Sequence, residues 1–302
     1  YLYSVKTEVL VDGEVVDTYE NDYGFRYYSF DSETGFSFNG QMMKLKGVCM
    51  HHDQGALGAV ANRDAIERQV KMLKDMGCNA IRVTHNPAAS VLLDICNEYG
   101  MLVIDEAFDG WTEYKNSNYN DYTTHFEDTI TADNQILDGE TGMQWGEFDA
   151  RAMIKRGINE PCIIMWSIGN EITEGTSSST AHYADLAADI ISWMLDENDT
   201  RPLTIGDNQK GNNSMLNNIQ DQLTAVGGVN GMNYISGDRQ TGVTPDAQLD
   251  ALHAAHPEWT LYGAETASSI HTRGKYATMP QDTNRLQLSE YNNDSTKVGW
   301  GL

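Results

Sequence analysis

After residue 43, short apolar runs alternate with longer amphipathic stretches, and this alternation constrains the fold more than any other feature of the chain. Seven runs have the length and composition of strands: Met43–His51, Ala80–His85, Met101–Ala107, Ile163–Glu171, Pro202–Asp207, Gly228–Tyr234 and Thr260–Glu265. Helical spacing of apolar residues fills the gaps, and in Asn62–Met76 one face carries Ile66, Val70, Leu73 and Met76. Repeated strand–helix units predict an α/β fold built on a parallel sheet.

Seven strands are one fewer than the eight that close a parallel α/β barrel. Residues 281–302 are polar and contain no apolar run. Either the eighth strand lies beyond residue 302 or the sheet is open, and we expect the former, a barrel cut before its last strand. Residues 112–145 form a long polar loop, and loops of this length are usually functional or disordered.

Residues 1–28 have a different pattern. Apolar and polar residues alternate along Tyr1–Val11, Asp12-Gly13 is a hairpin turn signal, and a second alternating run follows. Two strands are too few for a stable domain. We therefore predict that residues 1–28 end a β-sandwich whose earlier strands are missing, and that residues 29–302 form a second domain.

Composition limits the classes of partner. A net charge of −24 and a pI near 4.5 disfavour nucleic acid and polybasic membrane contacts. No run approaches the roughly 20 apolar residues of a membrane span. The four cysteines lack metal-type spacing and are interpreted as buried thiols. These features indicate a soluble protein that acts on a neutral small substrate, in a compartment that the sequence leaves undetermined.

Two of the predicted strands end on a glutamate, Glu171 and Glu265. A carboxylate at the end of a buried strand is costly unless it is paired or used, and the carboxyl ends of barrel strands form the active-site face. A retaining glycosidase needs two such carboxylates about 5–5.5 Å apart, one as acid and base and one as nucleophile. The alternative is that each glutamate is a surface loop residue.

Other strand ends carry side chains that suit a sugar site. Arg82 can keep a nearby carboxylate ionised, although a structural Arg–Asp pair fits its position equally. His51 is assigned to sugar hydroxyls, because adjacent His51 and His52 on a strand point in opposite directions and do not chelate one metal. Asn170 can hydrogen-bond a hydroxyl next to the anomeric carbon. Tyr234 can donate to the nucleophile or be a buried aromatic residue.

The segment after the third strand contains carboxylates and an aromatic ring. Asp109 and Trp111 suit a sugar pocket, because aromatic faces stack on the apolar face of a pyranose. Asp105 and Glu106 are interpreted as structural carboxylates paired to Arg82.

Two other classes of protein remain open. A metal-dependent hydrolase predicts one ion held by His51, His85 and Asp109. A non-catalytic carbohydrate-binding barrel would keep the aromatic residues and lose one of the two glutamates.

The ordered series of motifs resembles glycoside hydrolase family 2, which includes β-galactosidases and β-glucuronidases. The segments that carry the resemblance are Gly24–Arg26, Leu45–Val48, His51–Asp53, Asn79–Pro87, Asp105–Ala107, Trp166–Glu171 and Gly263–Glu265. The resemblance implies a (β/α)₈ TIM barrel after a jelly roll and an immunoglobulin-like sandwich, of which residues 1–28 are the last strands. It implies that Glu171 is the acid/base and Glu265 the nucleophile. It also implies a sugar subsite formed by His51, Arg82, His85, Asp109, Trp111, Asn170 and Tyr234.

Within the family, the run Met50–Gly58 looks most like the β-galactosidase branch. Asn293 and Lys297 do not form the Asn-x-Lys element by which β-glucuronidases bind a carboxylate. We therefore predict hydrolysis of terminal β-galactosides, with β-glucuronides and β-mannosides as alternatives. No cofactor is implied, and no metal is expected in bond cleavage. The eighth-strand Trp of the family has no counterpart here. Oligomeric state is undetermined, with a homo-oligomer of the full-length protein left open.

Overall fold

The computed structural model describes residues 1–115, 118, 120–174, 182–235 and 245–266. The first residues form an antiparallel hairpin of β1 (Tyr3–Val11) and β2 (Glu14–Tyr23). Asp12 and Gly13 have φ values of 52° and 85°, as expected for a two-residue turn that follows the strand twist. The predicted hairpin is confirmed. Its strands are largely exposed on both faces, and its assignment to a sandwich domain remains a prediction.

A small antiparallel sheet that the sequence did not predict follows the hairpin. It contains β3 (Tyr28–Asp31), β4 (Gly35–Phe38) and β5 (Gln41–Met42). The predicted strand Met43–His51 is corrected to β6 (Gly47–Met50). The Asn79 side chain accepts from the Lys46 N–H at 2.7 Å and donates to the Lys44 carbonyl at 2.9 Å, which holds residues 44–46 as a connection between the two sheets.

Seven parallel strands form the main sheet within the described residues. After β6 they are β7 (Ala80–Val83), β8 (Leu102–Glu106), β9 (Ile163–Asn170), β10 (Leu203–Asp207), β11 (Asn230–Asn233) and β12 (Leu261–Glu265). Each strand pairs in parallel with the next in chain order. This is the nearly closed barrel that the repeated strand–helix pattern predicted, and its strands lie within a few residues of the predicted runs.

In the described part of the chain, six helices connect successive barrel strands. They are α1 (Arg63–Asp75), α2 (Ser90–Tyr99), α3 (Trp145–Gly157), α4 (Tyr183–Glu197), α5 (Ser214–Ala225) and α6 (Pro245–Ala255). Asn62 caps α1, since its side chain accepts from the Ala65 N–H at 3.0 Å. Ile66 and Val70 are buried as predicted, but Met76 is exposed. The helix ends at Asp75, so Met76 leaves the face that packs on the sheet.

The small sheet covers the amino-terminal end of the barrel. Phe36 is buried against Ala80, Leu102 and Met165 at the lower end of the barrel interior. Aromatic rings of β3 and β4 stack on one another, with the Phe30 and Phe36 centroids 4.7 Å apart. Closure of this end leaves the opposite end, where β9 and β12 finish, open to a substrate.

The seam of the barrel lies between β6 and β12, the two outer strands of the described sheet. The Cys49 thiol donates to the Ala264 carbonyl at 3.3 Å across this seam. The seven described strands are consistent with a barrel that lacks its eighth, and the predicted absence of that strand from residues 268–302 lies outside the described residues. No helix in the described segments is long and apolar enough to cross a membrane.

Candidate active site

Glu171 lies at a sharp turn directly after β9. Its φ is +44°, a backbone conformation that is uncommon for a residue with a side chain. Its N–H donates to the Gly206 carbonyl at 2.8 Å, and its carboxylate accepts from Asn233 Nδ2 at 2.7 Å. Glu171 is buried. The turn therefore aims the carboxylate across the barrel mouth.

Glu265 is the last residue of β12 and its side chain is 16% exposed. Its Oε1 atom accepts from Arg82 Nη1 at 3.0 Å. Arg82 therefore lies beside a candidate catalytic carboxylate, as the sequence indicates, and that carboxylate is Glu265. The guanidinium fixes the position of one carboxylate oxygen of Glu265.

Arg82 is held by further acceptors inside the barrel. Its Nε and Nη2 atoms donate to Glu106 Oε2 at 3.1 and 2.6 Å, and Nη2 also donates to Asn170 Oδ1 at 3.0 Å. Burial works against the charge, but Glu106 and Glu265 outweigh it and raise the pKa of Arg82. Glu106 also contacts His85 Nδ1 at 2.6 Å. Glu106 is therefore the structural carboxylate predicted for Arg82.

Asp105 has a different partner from the one predicted. Its Oδ2 atom accepts from Arg156 Nη2 on α3 at 2.6 Å, and its Oδ1 accepts from the Ala88 N–H at 2.8 Å. Successive side chains on a strand point to opposite faces. Asp105 therefore faces the surrounding helices, whereas Glu106 faces Arg82 in the barrel interior.

Asn233 and Asn170 link Glu171 to Arg82, which in turn binds Glu265. Asn233 Nδ2 donates to Asn170 Oδ1 at 2.9 Å and to Glu171 Oε1, and Asn170 Nδ2 donates to Asp109 Oδ1 at 3.0 Å. Both amides are buried. An amide nitrogen has two N–H groups, so Asn170 retains one for a sugar hydroxyl.

Tyr234 bridges the two candidate catalytic carboxylates. Its side chain is hydrogen-bonded to both Glu171 and Glu265, and burial followed by the two negative charges raises the pKa of its hydroxyl. Its N–H donates to the Glu265 carbonyl at 2.5 Å. One hydroxyl that reaches both carboxylates brings them to opposite sides of the same small space.

The histidines lie beside Glu265. The His51 and His85 rings meet edge to face with centroids 5.2 Å apart, and His85 Nε2 is 3.9 Å from Glu265 Oε1. Burial and the neighbouring His85 lower the pKa of His51. A cleft of about 630 Å³ along the β6–β12 seam is lined by His51, Arg82 and Glu265. It follows the gap between the two outer strands as far as Leu45, near the base of the barrel.

Asp109 lies at the edge of the same mouth. Lys115 Nζ donates to Asp109 Oδ1 at 2.7 Å and to the Asn170 carbonyl at 2.8 Å. Burial raises the pKa of the Asp109 carboxyl, but Lys115 outweighs burial and holds the pKa below its usual value. Asp109 is therefore an ionised acceptor next to Asn170.

Trp111 does not line the site, which corrects the sequence prediction. The residue is fully buried, its indole N–H donates to the Ile168 carbonyl at 2.8 Å, and its ring packs on Tyr183. The other predicted residues converge at the barrel mouth; they are Glu171, Glu265, His51, Arg82, His85, Asp109, Asn170 and Tyr234.

Asn233 and Lys115 were missed from the sequence. Asn233 is a buried polar residue at a strand end, the same signal that identified Glu171, and could have been found in that way. Lys115 lies in a polar loop, and nothing in its sequence neighbourhood distinguishes it. Its role in the site comes from its contact with the Asn170 carbonyl, and these two residues are brought together only in the folded chain.

Among the residues that the structure describes, the histidines and carboxylates of the mouth do not bring three potential ligand atoms together. His85 is hydrogen-bonded to Glu106, and Asp109 accepts a hydrogen bond from Lys115. Among the described residues, one grouping has three potential ligand atoms within 4.8 Å of one another, and its members are Asp221, His256 and Glu258. Two of its three members are exposed, and it lies on α5 and the segment after α6, outside the site described here.

Comparison with known proteins assigns the barrel to a family. The profile described as "Glycosyl hydrolases family 2, TIM barrel domain" matches residues 32–244. The β-galactosidase BoGH2A of Bacteroides ovatus is 34% identical over 312 aligned positions, which cover 93% of this chain and 32% of the relative. A β-glucuronidase of Bacteroides fragilis is 28% identical over 271 positions, covering 87% of this chain and 34% of the relative.

Solved structures agree with this assignment. A glycosyl hydrolase family 2 member from Bacteroides cellulosilyticus superimposes with a TM-score of 0.72 at 35% identity, covering 89% of this chain and 30% of the other. The chain thus spans about a third of the length of the relatives it matches.

Proposed function

Because the chain belongs to glycoside hydrolase family 2, we propose that it forms the catalytic barrel of a retaining β-glycosidase that removes terminal β-galactosyl residues. The observation that carries the proposal is the arrangement of Glu171 and Glu265. The two carboxylates end facing strands, one is bound to Arg82, and Tyr234 reaches both. A binding protein has no need of this arrangement.

The contacts support one division of roles. Glu265 accepts from Arg82 and is the nucleophile, since attack on the anomeric carbon requires an ionised carboxylate. Glu171 protonates the glycosidic oxygen as the C1–O bond breaks and Glu265 bonds to C1. Water then attacks C1 from the side of the departed group as the bond between C1 and Glu265 breaks, and the water gives a proton to Glu171. The Glu265 carboxylate is thereby freed, and the product keeps the β configuration. Asn170 donates to the hydroxyl next to C1.

The charges of the described mouth favour a neutral sugar. Arg82 is bound to Glu106 and Glu265, and Lys115 is bound to Asp109, so neither cation is free to bind a uronic acid carboxylate. The net charge of −24 also repels an anionic substrate. The match to a protein named β-galactosidase agrees with this preference.

One observation favours a β-glucuronidase instead. Lys210, in the loop after β10, has no ion pair within 4 Å among the described residues; its ammonium donates to the Asn208 carbonyl. Burial lowers the pKa of Lys210, and the nearby charges of Asp207 and Glu171 oppose that shift. Several relatives carry the name β-glucuronidase.

Hydrolysis of matched chromogenic substrates by the full-length protein tests the proposal. We expect the β-galactoside to be cleaved with the highest kcat/KM of a panel that also contains the β-glucuronide and the β-mannoside. A higher kcat/KM for the glucuronide would reassign the substrate and identify Lys210 as the first residue to substitute. No turnover of any member of the panel would contradict the proposed activity.

A further inference from the structure

Lys115 reaches the barrel mouth from the loop after β8. Its side chain is 11% exposed, which is low for a residue type that is almost never buried unless it is paired. Its ammonium donates to Asp109 Oδ1 at 2.7 Å and to the Asn170 carbonyl at 2.8 Å. A lysine loses much side-chain entropy when it is held in one conformation. The two contacts offset that cost, and both of them act on Asn170.

The side chain of Asn170 is held at both ends of its amide. Its Oδ1 atom accepts from Arg82 Nη2 at 3.0 Å and from Asn233 Nδ2 at 2.9 Å. Its Nδ2 atom donates to Asp109 Oδ1 at 3.0 Å, and the same oxygen accepts from Lys115. The Asp109 side chain is 37% exposed, so the ammonium holds this carboxylate against the mouth. Because an amide group is planar, one N–H directed at Asp109 fixes the direction of the other.

The main chain of Asn170 is held in a similar way. Lys115 donates to its carbonyl, and the N–H of the next residue, Glu171, donates to the Gly206 carbonyl at 2.8 Å. The peptide group between Asn170 and Glu171 therefore has a partner at each end. It directly precedes a residue with a φ of +44°, and such a conformation persists only where the surrounding structure determines it. Without the ammonium, the carbonyl of a buried residue loses this donor.

We propose that Lys115 is a positioning residue for the reaction, which holds Asn170 at its side chain and at its carbonyl and so directs the free amide N–H at the sugar hydroxyl next to C1. The inference rests on the proposed glycosidase function. Hydrogen bonds to this hydroxyl strengthen in the transition state. The direction of one N–H therefore affects the rate of bond cleavage, although Lys115 itself touches no substrate atom.

A purely structural role of Lys115 predicts a different result. In that case, loss of the ammonium loosens the loop after β8 or changes the charge beside Glu171, and both effects act on every substrate alike. Loss of direction at Asn170 acts only on substrates that carry a hydroxyl next to C1. A comparison of a glycoside with its 2-deoxy analogue therefore separates the two roles.

Kinetics of Lys115→Met in the full-length protein make this comparison. Dinitrophenyl β-galactoside and its 2-deoxy analogue are suitable substrates, because their leaving group needs little protonation. Relative to wild type, kcat/KM for the galactoside should fall about tenfold further than kcat/KM for the analogue, as expected for one lost hydrogen bond. Lys71→Met is the matched control. It removes an exposed lysine that pairs with Glu67 on α1, and it should lower neither value.

Equal losses on the two substrates, or no loss on either, would overturn the inference and leave the proposed function intact. Lys115→Gln keeps a neutral donor and provides the same test if Lys115→Met does not fold. The galactoside should again lose more than its analogue, and equal losses would again overturn the inference.

A crystal structure of the folded variant gives a readout that needs no activity. In the variant, Asn170 Nδ2 should lie outside hydrogen-bonding distance of Asp109 Oδ1. An Asn170 side chain that keeps its wild-type position and its contact with Asp109 would overturn the inference even if the protein hydrolysed no glycoside.

Discussion

At the scale of single residues, Arg82 makes the contacts on which the candidate site depends. Its guanidinium binds Glu106, Glu265 and Asn170 in a buried position. All three guanidinium nitrogens donate, Nε and Nη2 to Glu106, Nη1 to Glu265 and Nη2 also to Asn170. Lysine keeps the charge but lacks the planar fork of donors.

Removal of Arg82 should destabilise the protein as well as inactivate it. Arg82→Met leaves Glu106 buried without its cation, a change that typically costs about 3–5 kcal/mol. The free energy of unfolding from urea curves at pH 7 measures this loss. Arg63→Met is the matched control, because Arg63 pairs with Glu98 at the surface, where ion pairs contribute little. A loss for Arg82→Met as small as that of the control would contradict the structural role.

The acid/base role of Glu171 predicts a dependence on the leaving group. Glu171→Gln keeps the Asn233 contact but has no proton to give. We expect kcat/KM for a phenyl β-galactoside to fall by about 10²–10⁴-fold, and that for an activated dinitrophenyl β-galactoside to fall much less. Equal losses on both substrates in the glycosylation step would indicate that Glu171 has another role.

At the scale of elements, β8 carries adjacent carboxyls whose pKa values move in opposite directions. Burial raises the pKa of Asp105 to about 6, although Arg156 opposes it. Burial also works on Glu106, but Arg82 and His85 outweigh it and lower the pKa. Adjacent side chains on β8 point to opposite faces of the sheet and meet different neighbours. Two equally buried carboxyls therefore carry different charges at mildly acidic pH.

This difference predicts opposite pH dependences of stability. The raised pKa of Asp105 contributes stability that is present below about pH 3.9, its unfolded pKa, and is lost as the pH rises through about 6. As the pH rises from 4 to 6, wild type loses this contribution and Asp105→Asn does not. The variant should therefore gain stability relative to wild type over this range. Glu106 contributes stability above its unfolded pKa of about 4.3 that is lost in acid, so Glu106→Gln should become more stable relative to wild type as the pH falls. Urea unfolding across pH 3–7 measures the free energy of unfolding of each variant relative to wild type. A difference that changes with pH in the same direction for both variants would contradict this account.

Strand β10 contributes to the site through the absence of a side chain. A Cβ atom on Gly206 would lie 2.6 Å from Arg82 Nη2 and 2.6 Å from Asn170 Oδ1. Gly206→Ala should therefore displace both groups and reduce kcat/KM by at least tenfold. Activity assays combined with the unfolding midpoint check this, and wild-type kcat/KM in a folded variant would mean that the site tolerates the shift.

The sequence predicted these elements where local pattern determines structure. Each barrel strand is an apolar run bounded by polar residues, and Glu171 and Glu265 were recognised by ending two such runs. Strands β3–β5 were missed because their two to four residues mix apolar and polar side chains between turns and do not lie within a longer strand-like run. The burial of Trp111 and the pairing of Asp105 with Arg156 could not be predicted, because both depend on packing between segments far apart in the chain.

At the scale of the whole molecule, the described barrel has two outer strands at its seam. Within the described residues, the outer edges of β6 and β12 pair with no further strand, and such edges expose backbone N–H and C=O groups that can pair with another chain. We expect residues 1–302 expressed alone to self-associate at micromolar concentration, more than the full-length protein does. Light scattering after size-exclusion chromatography measures this, and a monomeric fragment at tens of micromolar would contradict the expectation.

Covalent trapping tests the central claim, that Glu265 is the nucleophile of a retaining glycosidase, most directly. A 2-deoxy-2-fluoro β-galactoside with a good leaving group should form the glycosyl-enzyme and hydrolyse slowly from it. Peptide mass spectrometry of the full-length protein should then find the fluorosugar on the peptide that contains Glu265. A label on Glu171 would reverse the roles of the two carboxylates. An absent label together with an inverted product would contradict the retaining mechanism.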